Sequence, residues 1–184
     1  MTINNIWAKS KVLARAFAEC KRAAQKVYSQ AEKIIRCPPH TPKEFRVEAT
    51  KAPAAFLGLK KNIFSVLFQS IYHLLDIGEE RRMLYAKLNY LFRIWVTAAD
   101  NLIDREDKTT FPMRIPGNAP TMRQVISIMA ADRLLKGILD EAAENNIIDA
   151  KGSSLLCDKS LQILLPSAGE ESSEEGGIRL RPKP

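Results

Sequence analysis

Three aspartates follow a long apolar segment at a spacing that favours a common face. Asp100, Asp104 and Asp107 come directly after the apolar residues of 84–99. In a continuous helix, at about 100° per residue, Asp104 would lie about 40° and Asp107 about 20° from Asp100. A helix with a buried apolar face usually keeps carboxylates away from it, because an unpaired buried charge costs several kcal/mol. The spacing therefore predicts a shared partner for the three carboxylates.

A divalent cation is one partner that fits these carboxylates. Mg²⁺ characteristically combines one or two carboxylates with waters and the phosphates of its substrate. An aspartate cluster at the mouth of an apolar bundle thus suits a diphosphate attached to an apolar chain. The alternative is a solvated helix end, where Arg105, Lys108 and Arg114 form weak surface pairs with the aspartates. Spacing alone leaves both interpretations open, although carboxylates are unfavourable at the negative end of a helix dipole.

A second pair, His73 and Asp76, has a spacing that could orient an imidazole towards a metal ion. His73 has no second histidine nearby, because His40 belongs to a proline-rich turn. A lone histidine in an apolar helix is more often a core residue than a metal ligand. We therefore interpret His73 as part of the core.

Apolar residues at helical spacing predict helices in the first half of the chain. The first helix covers residues 4–36, and the segment CPPHTPKEF ends it. The second, AAFLGLKKNIFSVLFQSIYHLLDIG, is apolar on most of its circumference, which predicts a position deep in a bundle. The third runs from Glu79 to about Asp104, and its acidic start suits the positive end of the helix dipole.

Two more helices are predicted after an irregular loop with three prolines. Thr121 is the predicted cap of the fourth, and the fifth, AKGSSLLCDKSLQILLPSA, is predicted to end near Pro166. We find no convincing period-two alternation, which would indicate strands. The sequence predicts an all-α fold, a helical bundle, with residues 1–168 as one domain and residues 169–184 as a linker-like tail.

The composition of the chain indicates which classes of partner it could bind and which cellular compartment suits it. The chain has 184 residues, of which 46% are hydrophobic, enough for the core of one domain. A net charge of +7 could attract nucleic acid, an anionic membrane or a phosphorylated substrate. No nucleic-acid-binding motif is recognisable, so we expect no nucleic-acid partner and, at most, peripheral membrane contact. Three cysteines without CxxC spacing or a secretion signal favour a reducing, cytoplasmic location.

Two segments resemble a known superfamily. YLFRIWVTAADNLID resembles the first aspartate-rich motif, DDxxD or DNxxD, of class I isoprenoid synthases, which include trans-prenyl diphosphate synthases and terpene cyclases. LLPSAGEESSEEGGI resembles a later stretch of polyprenyl-synthetase-like proteins. The resemblance implies a bundle like part of the isoprenoid synthase fold. It also implies an enzyme of isoprenoid biosynthesis, a transferase or lyase such as a prenyltransferase or terpene synthase.

The same resemblance implies roles for individual residues. It makes Asp100 and Asp104 ligands of Mg²⁺ that hold the diphosphate of an isoprenyl substrate, with Asp107 assisting. Ionisation of that diphosphate would begin prenyl transfer or terpene cyclisation. Residues four and five positions before the motif line the chain pocket in this superfamily, and the motif's second aspartate is replaced here by asparagine. The implied substrate-binding residues are Trp95, Val96 and Asn101.

The chain also departs from the superfamily pattern. Arg105 stands where an acidic residue is common, and no second metal motif is recognisable after Asp107. The resemblance therefore implies the N-terminal half of a synthase. A half-bundle would expose apolar faces, which predicts a homo-oligomer or a partner subunit. The alternative function is a non-catalytic helical subunit or scaffold of a synthase-like complex; a third possibility is a basic protein peripheral to membranes.

Overall fold

A computed structural model describes the backbone of residues 3–175 and the side chains of residues 10–163, 165, 166, 168 and 169. Within this part of the chain the regular structure is almost entirely helical, with five α-helices and a single two-stranded sheet. The prediction of an all-α helical bundle is therefore confirmed.

The chain divides into two compact units, with the boundary between Ile138 and Leu139. The elements, in chain order, are α1 (Ile3–Ile34), a 3₁₀ helix (Lys43–Phe45), β1 (Glu48–Ala49), a second 3₁₀ helix (Ala54–Leu57), α2 (Leu59–Leu74), α3 (Glu79–Ile103), β2 (Met113–Arg114), α4 (Pro120–Glu144) and α5 (Ala150–Glu175).

The first unit is built on α1, α2 and α3, which pack against one another in pairs. The predicted first and third helices are confirmed within two residues at each end. Small side chains dominate the buried face of α1, which lets its neighbours approach closely. Leu13 and Ile34, by contrast, are 44% and 47% exposed. The buried residues of α1 are Ala16, Glu19, Cys20, Ala23, Ala24, Val27, Tyr28 and Ala31.

Helix α2 has its polar side inside and its apolar side outside. Besides Val66, its buried residues are Asn62, Ser65, Gln69 and Ser70. The prediction that this segment lies deep in a bundle is therefore wrong. Its large apolar side chains are between 46% and 73% exposed. These form the apolar face of α2, which we define as Leu59, Ile63, Phe64, Leu67, Phe68, Ile71, Leu74 and the adjoining Leu75.

A buried carboxylate accounts for the orientation of α2. Glu19 on α1 is 4% exposed and accepts hydrogen bonds from Gln69 Nε2 of α2 at 2.6 Å and from Arg82 Nη2 of α3 at 2.9 Å. His73 Nε2, also on α2, lies 3.1 Å from the same carboxylate. Arg82 additionally donates to the Ile77 carbonyl. Because a buried charge must be paired, α2 has to present its polar residues to Glu19.

The partners of Glu19 also set its protonation state. Burial raises the pKa of this carboxyl, but hydrogen bonds from Arg82 and Gln69 and electrostatic interactions with His73 and Arg82 outweigh that effect. The resulting pKa lies below the ordinary value of 4.5. Glu19 is therefore ionised in the folded protein. His73, which the sequence predicts to be a core residue, lies in the same buried cluster.

Strands β1 and β2 join the loops on either side of α2 and α3. They pair antiparallel, with Glu48 opposite Arg114 and Ala49 opposite Met113. The Arg114 guanidinium also forms an ion pair with the Glu48 carboxylate. Each strand has two residues, too few for a period-two pattern to be visible in the sequence.

The second unit differs from the predictions at Pro166. Helix α5 continues through this proline to Glu175, so the predicted helix end near Pro166 is wrong. The division at residues 168 and 169 stays a prediction, and residues 176–184 of the predicted tail lie outside the described residues. No α-helix within residues 3–175 has the length and hydropathy of a membrane span.

Substituting Glu19→Gln tests the buried carboxylate cluster. The substitution removes the buried counter-charge of the Arg82 guanidinium, and we expect the free energy of unfolding to fall by about 3–5 kcal/mol, as measured by urea denaturation. The matched control is Glu32→Gln, which changes an exposed glutamate on the same helix and should cost less than about 0.5 kcal/mol.

The same pair of variants tests the pH dependence. Because folding lowers the pKa of Glu19, its contribution is fully present above pH ~4.5 and is lost as the pH falls through the folded-state pKa. Glu32→Gln should therefore lose stability below that pH more steeply than Glu19→Gln. Equal slopes in the two variants would contradict a stabilising role for the Glu19 carboxylate.

Candidate functional site

Asp100 and Asp104 lie together at the C-terminal end of α3. Both side chains are exposed, and the backbone N–H of Asp104 donates to the Asp100 carbonyl at 2.8 Å. Helix α3 ends at Ile103, and Arg105 takes a left-handed backbone conformation with φ 56°, which turns the chain away from the helix axis. The two carboxylates thus occupy the last turn, four residues apart.

The two carboxylates influence each other electrostatically. The pKa of Asp100 is raised, first by partial burial and then by the negative charge of Asp104, while the Lys108 ammonium acts in the opposite direction. A cation bound between two such carboxylates would relieve their repulsion. The carboxylates of Asp100 and Asp104 can therefore serve as ligands of a cation, which is the role that the sequence predicts for them.

Asp107 does not share that face. Because α3 ends at Ile103, the helical spacing that predicted its position does not apply. The Asp107 carboxylate instead accepts a hydrogen bond from Arg123 Nη1 of α4 at 2.5 Å. In the part of the chain that the structure describes, no group of three or more His, Cys, Asp or Glu side chains is arranged to hold a metal ion.

Asn101 anchors the loop that follows α3. It is 3% exposed, and its Nδ2 donates to the Lys108 carbonyl at 3.0 Å. Gln124 Nε2 of α4 donates to the same carbonyl at 2.8 Å. The backbone carbonyl of Asn101 accepts a hydrogen bond from the backbone N–H of Glu106 at 2.9 Å. These contacts give Asn101 a structural role.

The other two residues assigned to the substrate lie on different sides of α3. Val96 is one turn before Asp100, about 40° from it around the helix, and is exposed. Trp95 lies about 140° from Asp100 and is half-buried. The helix geometry therefore brings Val96, and not Trp95, close to the side of the carboxylates.

A cavity that sequence analysis missed lies along α3 before the carboxylates. It has a volume of about 200 Å³. Two cations, Lys61 of α2 and Arg93 of α3, line it together with three threonines. The remaining lining residues are Tyr28, Phe56, Tyr90 and Ile94, and the threonines are Thr97, Thr109 and Thr110.

Aromatic rings and amides hold the two cations in place. The Lys61 ammonium lies 4.3 Å from the centroid of the Phe56 ring, and the Arg93 guanidinium carbon lies 4.5 Å from that of Tyr90. Arg93 Nη1 also donates to Asn62 Oδ1 at 3.0 Å. Contacts of this kind position a cation without neutralising it. The cavity can thus attract an anion of phosphate size.

The two tyrosines of the cavity are bonded to each other. The Tyr90 hydroxyl donates to the Tyr28 hydroxyl across 2.6 Å. Burial raises the pKa of both phenols. They remain neutral at physiological pH and form a wall of the cavity, so they are not candidates for a general base.

One face of α3 connects the cavity to the carboxylates. Arg93 and Asp100 are seven residues apart, which places them about 20° apart around the helix and about 10 Å apart along its axis. Thr97 lies between Arg93 and Asp100 on the same side of the helix, and Asp104 follows Asp100 on that side. A cationic cavity followed by two carboxylates can bind a ligand with phosphate groups and a divalent cation. The sequence carries a signal for each of these cations. Arg93 precedes Asp100 by seven residues, and Lys61 belongs to LGLKKN within an otherwise apolar segment.

Substituting Asn101→Asp tests the anchoring role, because it recreates the DDxxD pattern. A carboxylate at this buried position cannot donate to the Lys108 carbonyl and would face that oxygen instead. We expect a loss of about 2–4 kcal/mol in the free energy of unfolding, measured by chemical denaturation. The matched control, Asn118→Asp, changes an exposed asparagine and should alter stability by less than about 0.5 kcal/mol. Equal stability of the Asn101→Asp and Asn118→Asp variants would contradict the anchoring role of Asn101.

Comparisons of this chain with protein-family models, with curated proteins and with solved structures give no match.

Proposed function

We propose that the chain binds an isoprenyl diphosphate in the presence of Mg²⁺ and ionises it, as the first step of prenyl transfer or terpene cyclisation. The observation that carries this proposal is the common face of α3, on which the cation of Arg93 precedes the carboxylates of Asp100 and Asp104. The resemblance of YLFRIWVTAADNLID to the first aspartate-rich motif of class I isoprenoid synthases supports the same substrate.

The two halves of the site have complementary roles in this proposal. Asp100 and Asp104 supply the carboxylate oxygens that Mg²⁺ prefers, and their mutual repulsion favours a bound cation. Lys61 and Arg93 compensate the negative charge of the diphosphate from the cavity. Bound Mg²⁺ would stabilise the charge that develops on the leaving diphosphate. The carbon–oxygen bond would then break, with its electron pair leaving on the diphosphate and an allylic cation remaining on the isoprenyl chain.

The second candidate function is a non-catalytic helical subunit or scaffold of a synthase-like complex. The observation that favours it is the apolar face of α2, whose side chains are between 46% and 73% exposed. Patches of this size mark sites of protein association. A homo-oligomer or a partner subunit would cover the face, and either state is compatible with diphosphate binding on α3.

The state of the cysteines supports a cytoplasmic location as part of the proposal. Cys20, Cys37 and Cys157 are all free thiols, and Cys20 is buried. Burial raises the pKa of the Cys20 thiol to about 11, so it stays protonated. Free thiols are typical of reducing compartments.

Calorimetric binding of a non-hydrolysable farnesyl diphosphate analogue tests the proposed function. We expect binding by the full chain with Mg²⁺ and none in the presence of a chelator. Asp100→Asn and Asp104→Asn should each weaken binding roughly 10- to 100-fold, because each removes a charged ligand. Asp107→Asn is the matched control and should leave the affinity within about twofold, since Asp107 is paired with Arg123.

The role of the cationic cavity is tested by one further variant in the same calorimetric experiment. Lys61→Gln should weaken binding about tenfold while the requirement for Mg²⁺ remains. Binding that is independent of Mg²⁺, or that survives Asp100→Asn and Asp104→Asn unchanged, would refute the proposal.

A further inference from the structure

We propose that two copies of this chain associate through the apolar face of α2, with the two α2 helices antiparallel across a two-fold axis at Leu67. The interface goes beyond the proposed diphosphate site, because its residues take no part in that site and its assembly requires no ligand. Three features of α2 support this association: its exposed apolar area, the order of residues along its central ridge and the charges at its two ends.

The exposed area matches that of a stable dimer. Eight large apolar side chains make up the face, and the most exposed, Phe64 and Leu74, are each 73% exposed. At roughly 150–200 Å² for a large side chain, their exposed parts amount to about 700–900 Å². Specific dimers bury about 800 Å² on each partner, whereas monomers rarely expose an apolar patch larger than a few hundred Å².

The order of residues along the central ridge of this face is the same in both directions. Side chains four residues apart form one ridge along a helix. The central ridge of α2 is Leu59, Ile63, Leu67, Ile71 and Leu75, which alternates leucine and isoleucine symmetrically about Leu67. In an antiparallel pair centred on Leu67, Leu67 therefore meets its own copy, and Ile63 of each chain lies at the level of Ile71 of the other. A two-fold interface requires this self-complementarity.

Charges at the two ends of α2 favour the antiparallel arrangement. Lys60 lies at the N-terminal end, about 20° from Leu67 around the helix, and is exposed. Asp76 follows the C-terminal end and is also exposed. An antiparallel pair brings Lys60 of each copy close to Asp76 of the other, whereas a parallel pair would bring like charges together. The opposed helix dipoles contribute in the same direction.

The remainder of the first unit prevents α2 from hiding this face by rotation. Gln69 and His73 contact the buried Glu19 carboxylate, and Asn62 contacts Arg93. A rotation that buried Leu67 would expose these polar groups and leave Glu19 without two of its partners. The apolar face must therefore be covered from outside this helix, and the symmetry of its central ridge points to a second copy as the cover.

Light scattering of the full chain tests the proposal. We expect the mass of two chains for the natural sequence. Leu67→Glu places two carboxylates against each other on the axis and should raise the dimer dissociation constant about 100-fold or more. Phe45→Glu is the matched control, because Phe45 is 67% exposed but lies outside α2, and it should remain a dimer. Circular dichroism checks that Leu67→Glu retains its helical content.

Disulfide trapping provides a second test that leaves the apolar face nearly unchanged. In a chain with Cys37→Ser and Cys157→Ser, oxidised glutathione should cross-link Leu67→Cys to its own copy, because only a residue on the axis meets itself. Leu74→Cys, on the same face but far from the axis, is the matched control and should remain uncross-linked.

Two sets of results would overturn the proposal. A monomer for the natural sequence would mean that another protein covers the face or that it stays uncovered. A dimer that persists in Leu67→Glu, or cross-linking that is equal at positions 67 and 74, would mean that the copies associate elsewhere or in another orientation. Neither measurement uses diphosphate or Mg²⁺, so its failure is distinguishable from failure of the proposed function.

Discussion

The first unit is organised around one buried carboxylate. Glu19 lies on α1, and its partners come from α2 and α3, so the charge can be buried only when all three helices are in place. Isolated ionised carboxylates in a protein interior are strongly unfavourable, which makes the position of each partner a requirement of the fold. The most consequential partner is Gln69, because its position fixes the rotation of α2 about its own axis.

The rotation of α2 has effects on both of its sides. On the inside it directs Asn62 towards Arg93, so the polar face that serves Glu19 also helps to hold a cation of the cavity. On the outside it leaves the apolar face without a cover in this unit. The proposed diphosphate binding and the proposed association through α2 would therefore have one physical origin, even though they use different residues and can be tested separately.

The sequence predicts the helices better than it predicts their orientation. Apolar periodicity was sufficient to locate α1 and α3, because the bounds of a long helix depend on local patterns. For α2 the same reasoning failed, since a helix apolar on most of its circumference gives no indication of which side is buried. The decisive information was the stripe of Asn62, Ser65 and Gln69, which favours the interior only because a charge on another helix requires it. Such a long-range pairing is invisible to a local pattern.

The aspartate segment shows the same limit at the scale of single residues. Spacing brings Asp100 and Asp104 to one side of α3, but it brings Asp107 beside them only if the helix continues past its end at Ile103. The end is instead stabilised by Asn101, whose amide donates to the Lys108 carbonyl. A carboxylate cannot donate in this way, so asparagine at the second position of the motif serves the fold. The resemblance to DDxxD then extends, in chemistry, only to the two exposed carboxylates.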